Sequence, residues 1–493
     1  MLPRSLVKWM TTQDESALSP TPVQYEVTGV KYMFLNASVH GDVAVYSVLR
    51  NNMNRQLPKL ISAIADELAT QIDEKFGRNT EWNEVPSHDL VRNVISRVST
   101  RIILGSPLCK WPSFFSLSSA MTADQLDIDE DDKLIDSLNG LATCVVPSAL
   151  LLRFFPPFLH PVLSFFTHSL NRVYKRRALK TLGPYIEHRL NLATQQSQTA
   201  HLLSADNAKD APQPPPRDDV LTWLINDAVK RNEDRKGLVD RIACRVFVAV
   251  FAATETTTMT ISHALLDLCA SPPSQKVWEG LEEEGHAIFS AAAPLDLARI
   301  NAGLPRADSA LKETLRLRTS IKALATEVTA PQGLDIKGHD VHLPRGSRLS
   351  VSAWGIHRDP EIYGPNADEY DAFRFARDNE QRPQDGANGT TNGGMDAGSG
   401  SGPGGKVNLM VTATENYLPF GMGRHSCPGR YFAAVEGKLF LAYLAVNYDL
   451  KLAAAGRPQF VSIGHFPIPP VNGRLMVRRK IPGGRSACTP SLV

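Results

Sequence analysis

The chain has 493 residues, 43% hydrophobic and 21% charged, a composition that suits a folded protein with a large core and excludes a disordered or fibrous one. Its formal net charge of +2 is nearly balanced, so no global field argues for nucleic acid, and a charge-driven partner must be met by a local patch. The six cysteines, Cys109, Cys144, Cys244, Cys269, Cys427 and Cys488, are scattered without a CxxC pair or a disulfide framework, as suits a reducing compartment.

Residues 1–30 hold no apolar run long enough to span a bilayer and no signal-peptide pattern. Apolar residues at helical spacing predict helices over 57–76 and 90–104. The acidic run Asp127, Asp129, Glu130, Asp131 and Asp132 reads as a solvated loop rather than a docking face. The most apolar stretch, 149–166, is broken by Arg153, Pro156, Pro157 and Pro161. Its Phe and Leu residues suit either core packing or a greasy surface segment in peripheral membrane contact. One helix is predicted over 162–192, then an exposed linker over 195–217 around Pro214, Pro215 and Pro216. A short helix over 220–229 precedes a long apolar one over 238–269, which Ser271, Pro272 and Pro273 end.

Beyond Arg318 the pattern changes to short alternating strands at 323–328 and 347–353. Residues 381–405, rich in Gly, Asn, Ser and Asp, are expected to be a disordered insertion. An alanine-rich helix over 431–446 follows, and no internal repeat is visible. The expected fold class is mainly α with a small β-rich part.

Three constellations carry chemistry. In the run Phe420-Gly421-Met422-Gly423-Arg424-His425-Ser426-Cys427-Pro428-Gly429-Arg430, a lone cysteine lies between glycine-containing turns, just before the last helix. The helix N-terminus favours thiolate over thiol, and Gly423 and Gly429 let the backbone turn tightly against a flat cofactor. One thiolate cannot hold zinc or an iron–sulfur cluster, but it can be the single axial ligand of a haem; the bland reading is a buried structural cysteine. Within the long helix, Ala252-Ala253-Thr254-Glu255-Thr256-Thr257 sets small residues one turn before an acid and a hydroxyl. That pattern suits a groove over a flat ligand with a Glu–Thr proton relay, or simply hydroxyls bonded back to helix carbonyls. Glu313 and Arg316 share a helix face, a pairing that means little if exposed and much if buried.

Taken together, these segments resemble the cytochrome P-450 family. The cysteine run resembles its haem loop, the Ala252–Thr257 segment its oxygen-activating helix with Ala253 at the usual glycine position, and Glu313-Thr314-Leu315-Arg316 its Glu-x-x-Arg helix. Arg374 matches the third, structural partner of that helix, and His357-Arg358-Asp359-Pro360-Glu361-Ile362-Tyr363 also looks like the family. Residues 82–109 and 218–229 resemble fungal members, and the closest likeness is to secondary-metabolism monooxygenases of the ent-kaurene-oxidase kind.

The resemblance implies a single cytochrome P-450 domain over 1–493 that binds haem b. Cys427 would be the iron ligand, Phe420, Gly423, Arg424, His425 and Gly429 would cradle the cofactor, and Glu255 and Thr256 would deliver protons. The family has arginine two residues before the cysteine, on a haem propionate; here His425 holds that position with Arg424 beside it, and Arg50 is a weak candidate for the other propionate. The implied partners are an NADPH-dependent flavoprotein reductase, O2 and a small apolar substrate of terpenoid or polyketide type, with Phe251, Ala252, Ile321 and Ala323 as candidate substrate contacts. Rival readings are a haem-thiolate isomerase or dehydratase, and a truncated non-catalytic paralogue. Membrane-bound members begin with an anchor helix and a first small sheet on the endoplasmic reticulum. This chain is expected to begin after both, leaving it cytosolic or peripheral.

Overall fold

The computed structural model describes residues 1–28, 32, 42, 44–105, 128–202, 218–336, 338–380, 408–463, 466–468, 470 and 472–481. The insertion expected at 381–405 therefore lies outside the described residues, as does 203–217 of the expected linker. The helices in chain order are α1 (Val7–Thr12), α2 (Thr21–Thr28), α3 (Ala44–Phe76), α4 (Ser87–Leu104), α5 (Ile128–Leu152), α6 (His160–Thr167), α7 (Ser169–Leu202) and α8 (Val220–Lys230). They continue with α9 (Leu238–Ala270), α10 (Val277–Ser290), α11 (Leu297–Gly303), α12 (Pro305–Leu317), α13 (Ala353–Ile356), α14 (Pro360–Tyr363), α15 (Arg374–Glu380) and α16 (Arg430–Asn447). The mainly helical expectation holds, and the helices at 220–229, 238–269 and 431–446 match α8, α9 and α16 within a residue or two.

The chain divides into two compact units, one of Met1–Val23, Leu57–Ile95 and Thr256–Val493, the other of Gln24–Gln56 and Ser96–Glu255. The first unit holds the strands. Strand β3 (Ala323–Val328) pairs antiparallel with β4 (Arg348–Ser352) from Ala323↔Ser352 to Glu327↔Arg348, and β1 (Leu18–Ser19) adds to its other edge. A second sheet runs in the order β2 (Asn83–Pro86), β6 (Arg474–Arg479), β5 (Tyr448–Leu452). Beneath the first sheet, Val7, Met10, Leu18, Val328, Leu349, Val351, Ile356 and Leu418 form one buried cluster. Full burial of each such large side chain contributes about 1.5–3 kcal/mol. Leu418 stands two residues before Phe420, so this core reaches the start of the cysteine run.

Helix α12 sits in the same unit with Ala307 through Leu317 buried on every face, although Asp308, Lys312, Glu313 and Arg316 are among them. A helix polar on one stripe ordinarily shows that stripe to water. Here protein groups take the place of water, and Glu284 of α10 even caps the helix start, accepting the amides of Arg306 at 2.7 Å and Ala307 at 3.2 Å.

In the second unit, α5 packs along α7. Asp219 caps α8 through the Thr222 amide at 2.7 Å and pairs with the buried Arg189 at 3.0 Å. Two sequence expectations fail here. The acidic run is no loop: from Ile128 onward it opens α5, where acids suit the positive end of the helix dipole, and Asp132 pairs with Arg97 at 2.7 Å. The single helix over 162–192 is two, broken at His168 (φ −103, ψ 17), where the Thr167 carbonyl is taken by the Ser148 hydroxyl at 2.9 Å. Among the described residues one helical segment, Asp132–Leu152, is long and apolar enough to cross a membrane, with 53% of its most apolar window buried.

Candidate functional site

The cysteine run folds as a chain of tight turns. The Gly421 amide donates to the Leu418 carbonyl at 2.9 Å, the Ser426 amide to Gly423 at 3.1 Å and the Cys427 amide to Phe420 at 2.8 Å. Gly421 and Gly423 supply the left-handed backbone that these turns need, with φ +68 and +71. A Cβ on Gly423 would lie 2.5 Å from the Thr11 carbonyl oxygen, so its missing side chain is accounted for by α1 rather than by a flat cofactor. Gly429 is different, since a Cβ there would meet nothing nearer than the Cys427 sulfur at 4.0 Å.

Arg430, to which sequence reasoning gave no role, closes the loop. It donates to the Cys427 carbonyl at 2.9 Å and the Ser426 hydroxyl at 3.3 Å, and its guanidinium lies over the Tyr431 ring. Neighbouring atoms crowd Cys427 enough for burial to push its thiol pKa above the ordinary value, yet part of the residue's surface stays open. The Gly429 and Arg430 amides and the Arg430 charge pull the other way and lose. The amides at the helix start thus favour the thiolate as expected, but desolvation of the sulfur is the larger effect.

The donor set tests the fit to a haem. Among the described residues no group of three or more His, Cys, Asp or Glu could hold a metal ion. A lone thiolate suits a metal whose other ligands come with a cofactor, as they do in a porphyrin.

Helix α9 supplies a second open surface. Between Leu238 and Cys269 every residue is buried or half-buried except Ala252 and Thr256, one turn apart on one face. These two small residues are the exposed positions of an otherwise covered helix. One turn further on, the Thr260 hydroxyl bonds back to the Thr256 carbonyl at 2.9 Å. Thr256 begins the α9 portion of the unit that contains Cys427, whereas Glu255 ends the other unit's portion and is half-buried. Phe251 and Ala323 are half-buried, and Ile321 is 37% exposed.

The acid–arginine motif is fully buried. Arg316 makes two bonds of 2.7 Å to the Glu313 carboxylate, and Arg374 adds a third at 3.0 Å from a different helix. Both arginines then spend their remaining N–H groups on backbone carbonyls: Arg316 on His357, Ala367 and Glu369, Arg374 on Tyr363, Asn366 and Glu369. Sequence reasoning missed the rest of this helix's work. Lys312 donates to the Asn408 side chain at 2.6 Å and to the Asn408 and Leu409 carbonyls at 2.8 and 3.2 Å, and Asp308 accepts the Met410 amide at 2.7 Å. These groups fix the segment that runs into the cysteine loop. In the sequence they stand out only as two opposite charges one helix turn apart, on either side of Ser309–Leu311.

Arg424 and His425 separate. Arg424 turns outward to Asp14 at 3.1 Å, and Asp14 is held down to about 2 by Ser16 hydroxyl and amide bonds together with Arg424. His425 stays half-buried on the turn before Cys427. Arg50, on α3, is exposed and belongs to the other unit.

A sequence model described as Cytochrome P450 matches residues 44–477. The chain is 27% identical over 486 residues to the cytochrome P450 monooxygenase gloO of Glarea lozoyensis, covering 98% of this chain and 82% of that one. It is 28% identical over 466 residues to the cytochrome P450 monooxygenase ecdH of Aspergillus rugulosus, covering 94% of this chain and 78% of that one. In fold it is similar to a retinoic acid-bound cyanobacterial CYP120A1, with a TM-score of 0.60 at 18% identity, over 97% of this chain and 88% of that one.

Proposed function

The chain belongs to the cytochrome P450 family as a monooxygenase, and from that premise we propose that Cys427 holds the iron of haem b in a single catalytic domain over 1–493. The observation that carries this reading is the lone cysteine of the turn-rich loop, Cys427, half-buried just before the head of α16. Bound through a thiolate, haem supplies reductive activation of O2, in which one oxygen atom enters the substrate and the other leaves as water. Cys427 gives up its proton when it binds the metal. The Arg430 bond to its carbonyl keeps the sulfur aimed while that charge develops. Electrons come from an NADPH-dependent flavoprotein reductase. The substrate is a small apolar molecule of secondary metabolism, terpenoid or polyketide in type, for which Phe251, Ala252, Ile321 and Ala323 offer apolar contacts.

Thr256 holds the proton that the reaction consumes, and Glu255 resupplies it. Thr256→Ala should keep haem and substrate binding while product formed per NADPH consumed falls by about two orders of magnitude and peroxide rises. The test is a reductase-reconstituted assay with a substrate that the parent turns over; an unchanged ratio would place the relay elsewhere.

His425 rather than Arg424 faces the haem propionate, because Arg424 is already engaged by Asp14. Loss of haem to apomyoglobin should be about tenfold faster in His425→Ala and unchanged in Arg424→Ala, the effect of removing one charge-assisted bond. The reverse ranking would assign the propionate to Arg424.

Membrane-bound family members sit on the endoplasmic reticulum, and peripheral contact of this chain with a membrane rests on the turn between α5 and α7. Phe154, Phe158 and Phe166 there are 83%, 77% and 67% exposed, beside the exposed Val162, Phe165 and Leu170. Residues 137–186 contain no Asp or Glu but carry Arg153, Arg172, Lys175, Arg176, Arg177 and Lys180. Aromatic insertion flanked by basic residues is how interfacial segments hold an anionic bilayer. Binding to phosphatidylcholine vesicles should strengthen when phosphatidylserine is added, weaken with salt and drop in Phe158→Ser with Phe166→Ser. Binding that ignores lipid charge, salt and both phenylalanines would remove this surface from consideration.

A further inference from the structure

We propose that His357 is a positioning residue for the Cys427 loop, its neutral imidazole linking the last turn of α12 to the segment that carries the cysteine. The inference rests on Cys427 being the haem ligand. His357 follows α13 and has no exposed surface. Its Nε2 lies 2.9 Å from the Leu418 amide, which can only donate, so Nε2 accepts. Its Nδ1 lies 3.1 Å from the Arg316 carbonyl, which can only accept, so Nδ1 carries the proton. Arg316 answers by donating its guanidinium to the His357 carbonyl, which makes the contact reciprocal.

The ring also stacks on Tyr417, with centroids 5.6 Å apart and planes 29° apart. Burial, aided by the Arg316 and Arg358 charges, lowers the imidazole pKa to about 3, so the accepting tautomer persists throughout the neutral range. From Leu418 the bonds run on toward the sulfur: the Leu418 carbonyl accepts Gly421, and the carbonyl of the intervening Phe420 accepts Cys427. The buried Glu313–Arg316 pair therefore reaches the cysteine loop through one imidazole. No other side chain type offers a donor and an acceptor at these two positions across a flat ring while staying uncharged.

Glutamine and asparagine divide the two functions. The side-chain oxygen of His357→Gln reaches the Nε2 position and can accept Leu418, whereas His357→Asn reaches only the Nδ1 position and serves Arg316. Each variant and the parent would be reconstituted with haem, and the reduced CO spectrum and the exchange rate of the Leu418 amide measured. His357→Gln should keep most of the thiolate-type band, while His357→Asn and His357→Ala shift most of it to the band of a thiolate-free haem. The Leu418 amide should exchange about tenfold faster in Asn than in Gln, as expected when a buried donor loses its acceptor. A Gln variant as damaged as the Asn variant, in fold, spectrum or exchange, overturns the proposal. If the parent itself lacks the thiolate-type band, the haem-ligand reading fails, and the Leu418 exchange rates still decide what His357 does.

Discussion

Glu313→Ala and Arg316→Ala should each yield protein that retains almost no haem. Both side chains have no exposed surface, and Glu313 is the one acid shared by Arg316 and Arg374. Removing it strands two guanidinium groups in a buried site, a change that costs roughly 3–5 kcal/mol. Set against a total stability of about 5–15 kcal/mol, that is enough to open the region that the helix braces. The loss should be worst near the cysteine loop, because the same helix holds Asn408, Leu409 and Met410 through Lys312 and Asp308. Arg374→Ala should be milder. Its side chain is 10% exposed, and Glu313 keeps both bonds to Arg316 without it. Haem content per polypeptide after purification checks the ranking; full haem in all three variants would mean that the network is dispensable.

Cys427→Ser should abolish the thiolate-type CO band and turnover together, with activity down by more than about a hundredfold. A serine hydroxyl is a harder, weaker donor to iron and stays protonated at neutral pH, so it neither binds as an anion nor pushes electron density onto the metal. The loop itself should survive, because its shape depends on backbone bonds and on Arg430 rather than on the sulfur. Unchanged circular dichroism alongside the lost band would separate ligand loss from unfolding. Monooxygenase activity retained by this variant would remove Cys427 from the iron.

Much of the site was legible because its chemistry is tied to residue types at fixed short spacings. A cysteine between glycine turns, a small-small-x-acid-hydroxyl stretch and an acid–arginine pair at one helix turn each announce themselves within a dozen residues. What stayed hidden depends on partners far along the chain. Lys312 works through backbone oxygens of Asn408 and Leu409, and His357 through the amide of Leu418, and backbone groups leave no mark in a sequence. The Gly423 contact with Thr11 is of the same kind. In α5 the acidic run suggested solvent, and only the Arg97 pairing and the helix start make sense of it. The thiol of Cys427 shows a further limit. Position at a helix N-terminus can be read from sequence, but the depth of burial that outweighs it cannot.

The central claim is that Cys427 presents a thiolate to haem iron, and the reduced-plus-CO difference spectrum of the reconstituted chain tests it most directly. A red-shifted thiolate-type band, present in the parent and absent in Cys427→Ser, is the expected result. Haem taken up with no such band in the parent, or the same band in both proteins, would contradict the claim.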